Sequence, residues 1–113
     1  MTAFEAEVLK SLQTLRIPPH LKGYRLLQSA LSLINQNPQL ILTPSKLYAE
    51  VAAINKSSPR SVGSTIANAL QSANSDFTVQ EQVLGTNREL EVMEFMATLH
   101  RAITIRVADK LCC

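Results

Sequence analysis

Two helices opened by the same signal, one after the other, constrain this chain more than anything else in it. Thr43-Pro44 and Ser58-Pro59 each set a capping hydroxyl before a proline, and proline suits the first helical position, where its missing N–H has no intrahelical partner to lose. Behind the first signal Leu47, Val51 and Ile54 recur at helical spacing; behind the second, Val62, Ile66, Ala69, Leu70 and Ala73 do so. Asn55-Lys56-Ser57 is the polar turn between them. The pattern predicts a helix-turn-helix over about residues 44–73. The second helix of such a pair normally lies in the DNA major groove. Its polar face here carries Arg60, Ser61, Ser64, Thr65, Asn68 and Gln71, and Arg60 is its one basic residue.

A chain of 113 residues fits a single helical domain spanning 1–113, large enough to build a core without a disulfide or a metal. Apolar residues are 46% of the sequence and aromatics only 4%, so that core must be made of Leu, Ile, Val and Ala, a composition that favours helices. The net charge of +2 says little by itself, but its distribution is uneven. Residues 1–73 hold seven Lys and Arg against three Glu, whereas residues 74–113 hold four against six acids. A polyanion should therefore meet the N-terminal two-thirds. Cys112 and Cys113, the only cysteines, match no metal or redox spacing and are expected as reduced thiols. No signal peptide and no membrane-length apolar run is visible, so the expectation is a cytoplasmic protein with no membrane partner.

The remaining elements follow from periodicity and breakers. Phe4, Val8, Leu12 and Leu15 mark a first helix, with Glu5 and Glu7 in its opening turn. Ile17-Pro18-Pro19-His20 is a stiff connector, because a residue before proline is pushed out of the helical region. A second helix begins near Leu21 to Gly23, buries Leu26, Leu27, Ala30, Leu31 and Ile34, and stops at Asn35-Gln36-Asn37-Pro38. Leu40-Ile41-Leu42 reads as a packed loop. Asn74-Ser75-Asp76 ends the helix that starts at Pro59, and Phe77 to Gly85 reads as a polar connector anchored by Val79, Val83 and Leu84. From Asn87, with Asn87 or Thr86 as cap, Leu90, Met93, Phe95, Met96, Leu99, Ile103 and Val107 keep a helical rhythm that divides into two segments near Thr98 to His100. The fold class expected is all-α, a compact bundle of about six helices containing a helix-turn-helix.

Ile17-Pro18-Pro19-His20-Leu21-Lys22-Gly23-Tyr24, the Leu47-Tyr48-Ala49-Glu50-Val51-Ala52 helix and the terminal Val107-Ala108-Asp109-Lys110-Leu111 together resemble one family. It is the C-terminal effector domain of stage zero sporulation protein A, a sporulation response regulator. The resemblance implies a six-helix DNA-binding domain with no cofactor, no metal and no chemistry of its own. It also implies that the segment after the recognition helix, Asp76 to Gly85, meets an RNA polymerase sigma factor. That segment is shorter here and carries Asp76 and Glu81. The family's receiver domain has no counterpart in these residues, which fits either an excised effector domain or a free-standing relative.

The departure lies in the recognition helix. The family follows its turn with a string rich in arginine, including a Ser-Arg-Val-Glu-Arg pattern, where this chain has Arg60-Ser61-Val62-Gly63-Ser64-Thr65-Ile66-Ala67-Asn68. Core positions Val62 and Ile66 are kept, and charged readers are replaced. A bidentate arginine–guanine pair supplies about 1–3 kcal/mol of discrimination, so losing several should abolish binding to the family's usual box. Another sequence remains readable: Asn68 can pair bidentately with adenine, and Ser64 and Thr65 can reach base edges. Gly63 costs roughly 1 kcal/mol relative to alanine in a helix, which fits either a close backbone approach or drift at an unselected position.

No catalytic constellation is present: His20 and His100 stand without a nearby acid or nucleophile, and three glycines leave no phosphate cradle. An enzyme is not expected. The first expectation is a transcription-regulator domain on double-stranded DNA, with Lys46, Lys56 and Arg60 on phosphates and Ser61, Ser64, Thr65 and Asn68 facing bases. His20 and Lys22 are further phosphate candidates. Its rival is a diverged relative that binds protein and modulates a regulator, motivated by the missing arginines. The C-terminal helix, with Met93, Phe95 and Met96 not all on one face, is a candidate homodimer element.

Overall fold

The computed structural model describes residues 2–73, 76–86 and 88–112, apart from the side chains of Phe77, Leu111 and Cys112. Its helices are α1 (Ala3–Thr14), α2 (Lys22–Gln36), α3 (Pro44–Asn55), α4 (Pro59–Gln71), α5 (Phe77–Leu84) and α6 (Val92–Cys112), with a 3-10 helix over Pro38–Leu42. Among the described residues there is no strand. No helix is long and apolar enough to cross a membrane.

Local chemistry sets the boundaries. Thr2 caps α1 by accepting from the Glu5 N–H at 3.1 Å, and its hydroxyl reaches the Glu5 carboxylate. The helix ends with Arg16 in the left-handed region (φ 59°), while the N–H groups of Arg16 and Ile17 turn back to the carbonyls of Gln13 and Leu12. That is a Schellman closure, with buried Ile17 and Leu12 as its apolar pair. Pro44 and Pro59 both stand in the first turn of their helices, as the sequence predicts, but the Thr43 and Ser58 side chains make no capping hydrogen bond. Between them, Lys56 takes the left-handed conformation (φ 54°), and Ser57 N–H bonds the Ala52 carbonyl at 2.9 Å.

The core runs through every helix, and α2 is its axis. Leu26, Leu27, Ala30, Leu31 and Ile34 are fully buried, meeting Leu47 and Val51 of α3, Val62 and Ile66 of α4, and Met96, Leu99 and Ile103 of α6. Asn55 ties the end of α3 to α2 by donating to Ser29 Oγ at 3.0 Å.

Several expectations are corrected. Leu40-Ile41-Leu42 is a 3-10 helix rather than a loop, and only Leu40 is buried while Leu42 is 80% exposed. Ile54 is 59% exposed. Leu47, Val51 and Ala52 are the buried residues of α3, and Ile54 falls at the edge of that face in the last turn of the helix. The stretch read as a polar connector is α5, capped by Asp76 accepting from Val79 N–H at 2.9 Å and closed by Gly85 at φ 78°. The C-terminal region is one helix without a break near Thr98, because Phe95, Met96, Leu99 and Ile103 form one continuous buried stripe. It starts at Val92, after Leu90, where Glu94 accepts from Glu91 N–H and holds Arg88 at 2.9 Å. Glu7 is not a solvated first-turn acid: it is 4% exposed and ion-paired with Lys110. Asn74, Ser75, Asn87 and Cys113, which the sequence reading used, lie outside the described residues, as does the Cys112 side chain.

Candidate nucleic-acid interface

α4 is amphipathic with its polar face outward. Val62, Ile66 and Ala69 are buried against α2 and α3, which turns Arg60, Ser64, Asn68 and Gln71 to solvent on the opposite side. Ser61 and Thr65 are half-buried at the flank of that stripe. The serines are not all idle: Ser61 Oγ donates to the Ser58 carbonyl at 2.9 Å and Ser64 Oγ to the Ser61 carbonyl at 3.2 Å. Such back-bonding to the helix occupies the hydroxyl proton and leaves only lone pairs to face outward.

Two glycines govern how α4 sits. Gly23 of α2 lies on the α4 backbone: a Cβ there would stand 2.6 Å from the Thr65 carbonyl oxygen and 2.5 Å from the Ala69 Cβ. Lys22, the adjacent residue, is thereby carried to the flank of α4, exposed like His20 in the connector before it. Gly63 differs, since a Cβ there would meet only the Tyr48 ring, 3.4 Å away at ordinary contact distance. The Gly63→Ala variant is therefore expected to be more stable by about 0.5–1 kcal/mol, the usual gain of alanine inside a helix. Urea denaturation reads this directly, and a loss of stability would mean that Tyr48 has no room to give. Tyr48 entered the sequence reading only within a motif. Its place is half-buried between α3 and α4, and burial pushes its phenol above the ordinary value.

Five exposed basic residues lie on α2, α3, α4 and the turn between α3 and α4. Lys22 and Arg25 belong to the first turn of α2, Lys46 to the first turn of α3, Lys56 to the turn and Arg60 to the first turn of α4, all exposed. The ion pairs among the described residues are Arg88–Glu94 and Lys110–Glu7, so none of these five cations is neutralised by one. Glu50 is the single acid between residues 8 and 73.

Elsewhere the chemistry is structural. His100 packs its ring 5.7 Å from Phe4, with Nε2 buried and unpartnered, and burial lowers its proton affinity so that it stays neutral in the α1–α6 contact. Among the described residues no three His, Cys, Asp or Glu side chains gather as a metal site. A groove of about 880 Å³, lined by Leu15, Ile17, Leu70, Leu84 and Phe95, opens between the end of α4, α5 and the segment leading into α6.

In this all-helical fold a helix, a three-residue turn and a second helix with a solvent-facing polar stripe follow one another, an arrangement compatible with a helix-turn-helix. The family model described as sporulation initiation factor Spo0A C terminal matches residues 8–103, and the chain belongs to that family. It is a family of DNA-binding effector domains of sporulation response regulators, not of enzymes. No curated protein and no solved structure matches the chain at a significant level.

Proposed function

We propose that the chain acts as a DNA-binding transcription-regulator module, one copy per half-site, in which α3 and α4 form the helix-turn-helix and α4 enters the major groove. Ser61, Ser64, Thr65 and Asn68 face the bases. Lys46, Lys56 and Arg60 hold phosphates, with His20 and Lys22 as flanking contacts. The observation that carries this reading is the charge balance: five exposed cations without ion pairs, Lys22, Arg25, Lys46, Lys56 and Arg60, lie on α2, α3, α4 and the turn between α3 and α4, in a region with one acid. Phosphate contacts supply affinity and registration, and the α4 side chains supply choice.

Binding to random-sequence duplex should weaken steeply with salt. If all five cations engage phosphates, log K should fall with log salt at a slope of about −4.5. The Lys46→Ala/Lys56→Ala double variant should flatten that slope by roughly 2 at unchanged fold, read by fluorescence anisotropy across a salt series. Absence of binding at low salt would discard the reading. The alternative function would then stand, a non-DNA-binding relative that modulates a regulator through protein contacts, for which the single cation on the exposed face of α4 speaks.

A further inference from the structure

The geometry points to a second interaction surface, a groove between the last turn of α5 and the middle of α6 that takes a short acidic segment of a partner protein carrying one large apolar side chain. It draws no residue from α3 or α4 and does not depend on the reading of those helices. The groove encloses about 510 Å³. Thr98, Arg101, Ala102 and Ile105 form its α6 wall, and Val83, Leu84 and Gly85 stand at the α5 side. Steps of three and four residues keep that α6 wall on one face of the helix. From Thr98 to Ile105 it is about 10 Å long at 1.5 Å per residue, the length of two helical turns or of three extended residues.

Charge selects the occupant. Residues 74–113 hold four basic and six acidic side chains. Three of the four basic ones, Arg88, Arg101 and Arg106, line this groove, and none of the acids among the described residues does. Two of the guanidiniums are already engaged, Arg88 with Glu94 and Arg106 with Ser11 and the Gln82 and Val83 carbonyls. Arg101 is exposed and, among the described residues, has neither an ion pair nor a side-chain hydrogen bond. Its planar fork is open to a carboxylate, which a guanidinium holds through two parallel bonds. One turn further along, Ile105 is a large apolar side chain left 52% exposed, with Leu84 and Ala102 as apolar neighbours in the groove. A carboxylate within a turn of an apolar side chain is the complement of this pair. Length is limited by two acids: Glu94 and Asp109, both exposed, stand on the same face of α6 one turn beyond either end of the wall. A nucleic-acid backbone, charged at every step, would run into both, whereas a short segment with its acid at the centre fits between them.

The test selects binders on the full chain from a displayed library of short random peptides, then titrates the enriched peptide by calorimetry against wild type and variants. The expected motif has Asp or Glu within one helical turn of Leu, Ile, Phe or Met. Affinity should fall by about tenfold or more in Arg101→Glu and in Ile105→Ser. Arg101→Lys should lose less, since lysine retains the charge without the fork. Lys10→Glu on α1, the same change in net charge, should leave the affinity unaltered. Arg101 and Ile105 are exposed, and circular dichroism checks that each variant keeps its helices. No enriched motif, a basic or purely apolar one, or an affinity that Arg101→Glu leaves intact overturns the inference. So does self-association of the wild-type chain that Arg101→Glu abolishes in sedimentation, because the face then belongs to a second copy. Duplex binding lost in Arg101→Glu would overturn it likewise, by giving the face to a nucleic acid.

Discussion

Gly23→Ala is expected to destabilise the fold by about 2–4 kcal/mol, the upper range for forcing a methyl into a packed interior. Against a typical total of about 5–15 kcal/mol this is a large share, and thermal unfolding should move down by roughly 10–20 °C. Helix propensity points the other way, because alanine is favoured over glycine by about 1 kcal/mol inside a helix. Packing decides the sign. The new Cβ would stand 2.6 Å from the Thr65 carbonyl oxygen, a backbone atom that cannot rotate aside, and 2.5 Å from the Ala69 Cβ. Relief requires α2 and α4 to separate, which opens the buried layer of Leu26, Leu27, Val62 and Ile66. Adding Ala69→Gly removes one of the two collisions, so the double variant should recover part of the loss beyond additivity. An unchanged unfolding midpoint in Gly23→Ala would refute this account. Gly63→Ala, with only the Tyr48 ring nearby, is the internal contrast. Because the same contact orients α4, a folded remnant of Gly23→Ala should also bind DNA less well.

What the sequence discloses here depends on whether a feature is local. The buried stripe of α2 follows from a 3.6-residue period, and all five of its members are buried. Pro44 and Pro59 announce α3 and α4, because the first-turn preference of proline is a property of one peptide unit. Outward placement of Arg60, Ser64 and Asn68 follows from the same periodicity. α5 was missed although its caps are visible in Asp76 and Gly85, since eight residues with polar content give too few turns for a period to register. Leu40-Ile41-Leu42 misled for a related reason: three apolar residues carry no period at all. Other features are written only in three dimensions. The need for glycine at position 23 comes from Thr65 and Ala69, and the left-handed turns at Arg16 and Lys56 have no glycine to mark them. On α4 the exposure of Arg60, Ser64 and Asn68 is legible in the sequence, whereas the half-burial of Ser61 and Thr65 and the inward hydrogen bonds of Ser61 and Ser64 are not.

The second large effect is expected at the opposite end of the molecule, where Arg106 and Lys110, four residues apart on α6, fasten α1 and α5. Arg106 donates to Ser11 Oγ at 3.1 Å, to the Gln82 carbonyl at 3.4 Å and to the Val83 carbonyl. The last two belong to the final turn of α5, whose carbonyls have no partners within their own helix. Arg106→Ala should cost about 2–3 kcal/mol, because it removes charge-assisted bonds to three groups together with the packing of the aliphatic stem. Lys110 pairs with Glu7 beside this junction. The Lys110 hydrogen bond holds the Glu7 carboxyl below its usual value against the opposing cost of burial, with the charges of Lys110, Lys10 and Arg106 adding to the effect. A carboxyl whose pKa is depressed by folding stabilises the folded state above its unfolded value, here 4.5, and that contribution disappears as pH falls through the folded value. Wild-type stability should therefore decline below pH 4.5 with a contribution that Glu7→Gln lacks. Urea midpoints measured for both chains from neutral pH downward test it, since parallel acid limbs would mean that Glu7 is not held by the cations of α6. Arg106→Ala should shift the Glu7 titration back toward its usual range, because one of the lowering charges is gone. The α1–α5–α6 junction would then be weakened by acid and by mutation through the same group of residues.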